Sequence, residues 1–168
     1  MKYVALLRGI NPMNAPNAKL VALFEGLGFT GVQTVVSSGN VVFTASSKQT
    51  AILEKTIEKA LTGLVGEHSL AIVRQAEQIE KLASSAPFGN RSHTPATYLA
   101  VTFFKRAPNV IQHQPPFVAY EPDCLALCTV NDNTTRPPFM AQLERTYGKE
   151  ITTRTWSVVL KIARKMAA

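Results

Sequence analysis

The order of hydrophobic patterns in the first 75 residues limits the fold more than any other feature of this sequence. Strand-like runs at 3–7, 31–36, 41–44 and 69–74 are separated by segments with helical spacing of apolar residues at 19–27 and 50–64. Strand, helix, strand, strand, helix, strand is the split βαβ pattern of ferredoxin-like folds. The sequence therefore predicts a ferredoxin-like first half, in which the second and third strands form an antiparallel hairpin around residues 37–40.

The second half predicts a looser mixture of helices and strands. We expect helices at 76–84, 139–147 and 156–166, and strands at 96–104, 117–121 and 124–130. Gly148 to Arg154 is interpreted as a connection between the last two helices. Because no low-complexity linker is present, we expect an α+β fold with a ferredoxin-like subdomain at 1–75 packed against a smaller α/β subdomain at 76–168, or one continuous domain.

Cationic residues are concentrated at the carboxyl end of the chain. Residues 134–168 contain seven Lys or Arg and two Glu, whereas residues 1–133 contain 11 Lys or Arg and nine Asp or Glu. The net charge of +7 therefore arises mainly near the carboxyl end, and it suits an anionic partner. No apolar run approaches the roughly 20 residues of a membrane span, so no membrane insertion is expected. The oligomeric state is left open.

The cysteines and glycines predict no cofactor. Cys124 and Cys128 are four residues apart, about 13 Å along a strand, which is too far for a disulfide. The three histidines are scattered, so we predict no metal site and expect buried free thiols in a reducing cytosol. No Gly-Lys-Ser/Thr motif occurs, and the glycines at 26, 28 and 31 follow a helix instead of opening one, which excludes the familiar nucleotide-binding fingerprints.

Five sequence blocks together are typical of one protein family. They are YVALLRGIN at 3–11, LVALFEGLGF at 20–29, SGNVVF at 38–43, LERTYG at 143–148 and TRTWSVVLKIA at 153–163. In this order, over nearly the whole chain, they resemble the domain of unknown function 1697 family. The resemblance implies a compact α+β fold of ferredoxin-like type and a bacterial cytosolic protein. It implies no activity.

Two polar loops follow strands of the predicted first half. Arg8 to Asn11 (RGIN) brings a fixed cation, a permissive backbone and an amide to one place, which suits a carboxylate or phosphate. Ser38 and Asn40, on either side of Gly39, offer hydroxyl, amide and backbone N–H groups that can form an anion nest. Each loop also has a structural interpretation, as an Asx-turn at Asn11 and as an ordinary hairpin turn.

The final segment contains the third group of candidate ligand-binding residues. Arg154, Trp156 and Lys161 place two cations and an aromatic ring on or beside one helix, whose last turns also carry Arg164 and Lys165. Two helices joined through a glycine-containing connection, the second of them basic, permit a helix-turn-helix-like interpretation. An amphipathic helix that buries its tryptophan and exposes its cations is the alternative.

No side chains stand in a nucleophile–base pattern, because His68, His93 and His113 lack suitable neighbours in sequence. No catalytic residue is predicted, and enzymatic activity is left open. Glu54 and Glu58 are interpreted as a solvated helical face paired with neighbouring lysines. The sequence predicts a binding protein, either for nucleic acid or another polyanion at the basic carboxyl-terminal surface, or for a small anionic metabolite in a cleft between the halves.

Overall fold

A computed structural model of the chain describes residues 1–37, 39–111, 117–131 and 136–168, with side chains of the helix that begins at Arg136 described from Phe139 onward. These residues form two four-stranded antiparallel sheets and five α-helices. The protein is therefore α+β, as the sequence predicts. The chain divides into two compact units, residues 1–79 with 161–168, and residues 80–160.

The first unit contains the elements that the hydrophobic pattern predicts. They are β1 (Lys2–Arg8), α1 (Asn17–Gly26), β2 (Thr30–Thr34), β3 (Asn40–Thr44), α2 (Thr50–Val65) and β4 (Leu70–Gln75), followed by α3 (Ala76–Ser84). The strand order is β2-β3-β1-β4, and each neighbouring pair is antiparallel. The predicted pairing of β2 with β3 is confirmed.

Strand β1 is buried on both of its faces. Tyr3 and Leu7 pack into an apolar cluster with residues of α1 and α2. Val4 and Leu6, which point to the opposite side of the sheet, are 0% exposed. A strand that is covered on both faces tolerates no alternation of polar residues, which explains why this stretch of the sequence is an unbroken apolar run.

Helix α2 contacts the edge strand β4 through two carboxylates. Glu54 Oε1 accepts a hydrogen bond from the backbone N–H of Val73 at 2.9 Å, and Glu58 Oε1 accepts one from Ala71 at 3.0 Å. Glu54 is only 5% exposed, so its interpretation as part of a solvated face is wrong. The two carboxylates satisfy alternate amides of β4, which is an edge strand of the sheet that the described residues form.

The second unit repeats the strand order of the first. Its elements are β5 (Tyr98–Phe104), β6 (Phe117–Glu121), a 3₁₀ turn (Pro122–Cys124), β7 (Ala126–Asn131), α4 (Arg136–Tyr147) and β8 (Ile151–Thr155), and α5 (Trp156–Ala167) follows directly. The sheet order is β6-β7-β5-β8, and all neighbours are antiparallel. If the four strands of each sheet are numbered in chain order, both sheets have the spatial order second, third, first, fourth.

Strand β8 is the element that the sequence pattern misses. Its residues ITTRT are mostly polar and read as a loop, but they pair with β5 along their whole length. The hydroxyls of Thr102 and Thr153 share a hydrogen bond of 2.8 Å between these two strands. Because a strand separates α4 from α5, the helix-turn-helix-like interpretation of the carboxyl end is wrong.

Helix α4 covers one face of the second sheet. Leu143 of this helix clusters with Phe104, Leu127 and Ile151, and the Tyr147 ring lies edge-on to Phe104 with 5.0 Å between ring centroids. Within the described ranges, no helix has the length and apolar character needed to cross a membrane.

Candidate functional site

The polypeptide turns sharply at Gly9, immediately after β1. Gly9 has φ +80°, and a Cβ at this position would lie 2.9 Å from the backbone oxygen of His68, so no other residue fits without displacement. Asn11 Oδ1 accepts hydrogen bonds from the backbone N–H of Met13 (2.8 Å) and Asn14 (3.0 Å), and Asn14 Oδ1 accepts one from Asn11 N–H (2.8 Å). The side-chain oxygen of Asn11 therefore closes its own turn, as the structural interpretation expects.

Arg8 and Asn40 lie at the same end of the first sheet. Arg8 is the last residue of β1, Asn40 is the first residue of β3, and the backbone N–H of Leu7 donates to the Gly39 carbonyl at 2.7 Å. Asn40 is 3% exposed, and its Nδ2 donates to the Val35 carbonyl at 3.1 Å. The fold thus brings the two predicted polar loops together, and the Asn40 side chain stabilises the connection between β2 and β3.

Arg154 and Trp156 are engaged in contacts within the second unit. The guanidinium of Arg154 donates to Thr152 Oγ1 at 2.6 Å and to the Thr153 carbonyl at 3.0 Å. Burial lowers the pKa of Arg154 to about 10, so the side chain remains a cation at neutral pH. The partly buried Trp156 ring lies edge-on to Phe88, with 5.2 Å between centroids.

The predicted site residues are distributed over both units. Arg8, Asn11 and Asn40 belong to the first unit, Arg154 and Trp156 belong to the second, and Ser38 lies outside the described residues. A common ligand for all of these groups stays a prediction.

Lys161 lies on an exposed basic face of α5. Lys161, Arg164 and Lys165 are all exposed, and their spacing of three and four residues places them on one side of the helix. No acidic residue occurs in α5. The Lys2 ammonium donates to the Met166 carbonyl at 2.8 Å, which ties the end of this helix to the start of β1. We call the three exposed cations the α5 cation face.

The second unit also contains a cavity that sequence reasoning did not identify. It has a volume of about 280 Å³ and is lined by Tyr98, Ala100, Asn131, Phe139, Met140, Thr153, Arg154 and Thr155. These residues come from three strands and one helix, so no spacing along the chain marks them as a set. Among the described residues, no group of three or more His, Cys, Asp or Glu is placed to hold a metal ion.

Comparison with known proteins identifies a family and a similar solved structure. The family model described as "Protein of unknown function (DUF1697)" matches residues 1–118. Among solved structures, the chain is similar to the conserved bacterial protein SP0830 from Streptococcus pneumoniae, with a TM-score of 0.65 and 18% sequence identity over 98% of each chain. At this identity the likeness shows a shared fold alone. No curated protein matches the sequence.

Proposed function

The chain belongs to the DUF1697 family of proteins of unknown function, and we propose that it binds nucleic acid or another polyanion through the α5 cation face. The observation that carries the proposal is the exposure of Lys161, Arg164 and Lys165 on one side of a helix that contains no acidic residue. Cations presented in this way attract phosphates without sequence preference. In this proposal Trp156 anchors the helix by packing, and Arg154 adds positive charge from the preceding strand.

A ferredoxin-like arrangement of the first unit belongs to the same proposal. It is supported by the strand order β2-β3-β1-β4 and by the packing of α1 and α2 with one face of the sheet. RNA-recognition motifs use the opposite face of such a sheet, where exposed aromatic rings stack on bases. Here Val4, Leu6 and Ile72 on that face are 0% exposed. The proposed contact with nucleic acid is therefore helical and electrostatic. We keep 1–75 and 76–168 as the proposed subdomains.

Salt dependence provides a quantitative test. Each duplex phosphate neutralised by a cation contributes a slope of roughly 0.9 to the fall of log affinity with log salt, and each single-strand phosphate roughly 0.7. The double variant Lys161→Ala, Lys165→Ala removes two exposed lysines one helical turn apart. Its matched control, Lys55→Ala with Lys59→Ala, removes two exposed lysines at the same spacing on α2, where glutamates alternate with them.

The measurement is fluorescence anisotropy with short mixed-sequence DNA and RNA, single-stranded and duplex, over a range of salt concentrations. We expect wild-type binding at low salt, and in the Lys161/Lys165 variant a several-fold loss with a duplex slope lower by up to about 2. The Lys55/Lys59 control should bind like the wild type. An absence of binding at low salt, or an equal loss in both double variants, would show that the proposal is wrong.

A second candidate function is the binding of a small anionic metabolite beside Arg8. It is favoured by the meeting of the Arg8 loop with Gly39 at one end of the first sheet. Since Asn11 and Asn40 make hydrogen bonds within their own loops, the charge of Arg8 is its main support. We expect phosphate or a dicarboxylate to raise the melting temperature of the wild type, and we expect Arg8→Ala to remove this stabilisation. If neither ligand stabilises the wild type, this candidate function is excluded. A bacterial cytosolic location belongs to this proposal, and it is supported by the burial of Cys124 and Cys128, neither of which is in a disulfide.

A further inference from the structure

The cavity of the second unit has a cation among its lining residues. Arg154 of β8 lines it together with Thr153 and Thr155, and no Asp, Glu or Lys is among the described residues of the lining. Burial lowers the pKa of Arg154 to about 10, so the guanidinium is charged at neutral pH. A poorly hydrated cation attracts an anion more strongly than a cation in water does. The charge of the lining therefore favours an anionic ligand over a neutral or cationic one.

The hydrogen-bond register of β8 shows where the guanidinium lies. The backbone N–H of Lys105 donates to the Glu150 carbonyl at 3.0 Å, and hydrogen-bonded pairs of β5 and β8 alternate from there. Thr153 then belongs to a pair without backbone hydrogen bonds, so its carbonyl points away from β5. Arg154 Nη1 donates to this carbonyl at 3.0 Å. The guanidinium therefore reaches the outer edge of β8, where it can border the cavity although side chains alternate along the strand.

The remainder of the lining includes an apolar wall. Phe139 and Met140 of α4 provide flat and adaptable contact, and the methyl side chain of Ala100 on β5 leaves space beneath them. The volume of about 280 Å³ is slightly below the range of about 300–1,000 Å³ that is typical of ligand pockets. The apolar part of a ligand that fits here is therefore small, such as one ring or a short branched chain.

The two parts of the lining together select a chemical class. A guanidinium carries five N–H donors in a planar fork, which matches the two oxygens of a carboxylate. Inorganic phosphate also suits the fork, but it has no apolar surface for the α4 side of the cavity. A neutral ring suits the α4 side, but it gains little from the charge. A carboxylic acid with an apolar body satisfies both requirements.

We propose that this cavity binds a small monocarboxylate with an apolar body, whose carboxylate lies at the Arg154 guanidinium and whose body packs against Phe139 and Met140. The carboxylate oxygens accept hydrogen bonds from the guanidinium at the edge of β8. All lining residues belong to the second unit. The site is separate from the α5 cation face and from Arg8, and it does not depend on the binding of nucleic acid.

The experiment uses the full chain and four probes, which are benzoate, benzamide, acetate and inorganic phosphate, at constant ionic strength. Benzamide keeps the ring of benzoate without its charge, acetate keeps the carboxylate without the ring, and phosphate reports anion binding alone. Binding is followed by ¹H–¹⁵N chemical-shift changes. We expect benzoate to shift the resonances of the lining residues and to bind at least about tenfold more tightly than each of the other probes.

Variants of three cationic sites locate the binding. Arg154→Met removes the charge and keeps a long apolar side chain, so it should weaken benzoate binding about tenfold or more and leave benzamide binding unchanged. Arg154→Lys keeps the charge without the planar fork and should lose less. Arg8→Ala and the Lys161/Lys165 double variant remove cations elsewhere and should bind benzoate like the wild type. If Arg154→Met does not fold, the comparison of benzoate with benzamide on the wild type still decides the matter.

Any of four results would overturn the proposal. Benzoate leaves the lining resonances unshifted at millimolar concentration, or benzamide or acetate binds as tightly as benzoate, or phosphate binds in preference to benzoate, or Arg8→Ala weakens benzoate binding as much as Arg154→Met does. The last result would indicate a general response to the net charge of the protein instead of a carboxylate site in the cavity.

Discussion

Replacing Glu54 by alanine should destabilise the protein more than the same replacement of Glu58. Both carboxylates accept a backbone N–H of β4 at nearly equal distances, 2.9 Å for Glu54 and 3.0 Å for Glu58. They differ in burial, because Glu54 is 5% exposed and Glu58 is more accessible. The two sites share one helix and one turn of spacing, so the helix propensities of Glu and Ala cancel in the comparison.

The expected magnitudes follow from what happens to the amide that loses its acceptor. Val73 is 0% exposed, and water cannot readily replace the carboxylate of Glu54. A hydrogen bond to a charged group contributes about 1.5–3 kcal/mol, and an unsatisfied buried amide costs about 1–3 kcal/mol. We expect Glu54→Ala to lower the free energy of unfolding by about 2–3 kcal/mol, and Glu58→Ala by about 0.5–1.5 kcal/mol. Glu54→Gln keeps an acceptor oxygen, so its loss of unfolding free energy should lie between those of Glu54→Ala and Glu58→Ala.

The assay combines urea unfolding with native-state hydrogen exchange. Urea unfolding gives the free energies, and exchange rates of the Val73 and Ala71 amides report the two hydrogen bonds directly. In Glu54→Ala the Val73 amide should lose more protection than amides in the centre of the sheet. Equal destabilisation by the two alanine variants, or unchanged protection of Val73 in Glu54→Ala, would refute the argument from burial.

Two further predictions concern a backbone turn and a buried thiol. Gly9→Ala should lower the free energy of unfolding by more than the roughly 1–2 kcal/mol expected for a left-handed residue, because the added Cβ would lie 2.9 Å from a backbone oxygen. Gly28→Ala is the control, because Gly28 also has a positive φ (+82°) but its added Cβ would have no atom within 4 Å. Equal losses of free energy in urea unfolding of the two variants would contradict this prediction. Burial, reinforced by the charge of Glu121, raises the pKa of Cys128 from 9.0 to about 12. The contribution of this thiol to the free energy of unfolding should therefore be fully present below pH 9 and should fall by up to about 4 kcal/mol as the pH approaches 12. Cys128→Ala should weaken this dependence of stability on pH. Identical pH profiles of the wild type and Cys128→Ala would contradict the prediction.

The elements of the first unit could be predicted because each is encoded by a local pattern. The apolar run of β1, the helical spacing of α1 and α2 and the β-branched residues of β2 and β3 all involve residues close together in sequence. Helix α3 is predicted at 76–84, where the structure has it. Strand β8 could not be found in this way, because its residues Ile151 to Thr155 are mostly polar and become a strand only through pairing with β5.

The sequence predicts the exposure of some candidate residues, but it does not show what others contact. Lys161 is exposed on α5, as an amphipathic pattern indicates. The sequence cannot show that Asn40 donates to the Val35 carbonyl or that Glu54 accepts from the Val73 amide of β4. The sequence pattern around a polar residue is the same whether its hydrogen-bond partner is water or a backbone group. The cavity near Ala100 and Thr155 left no signal at all, since a void is a property of packing between elements.

By itself, the sequence determined the α+β class, the doubly buried first strand, the order of elements in the first unit and the basic carboxyl end. All of these depend on hydrophobic periodicity or on charge, which short segments contain in full. Only the tertiary structure decided which polar side chains form hydrogen bonds within the fold. Glu54 and Val73 are 19 residues apart in sequence, and Thr102 and Thr153 are 51 apart. Hydrogen bonds over such separations form only when packing brings their elements together. The same packing leaves the hydroxyl of Thr129 without a partner among the residues that the structure describes.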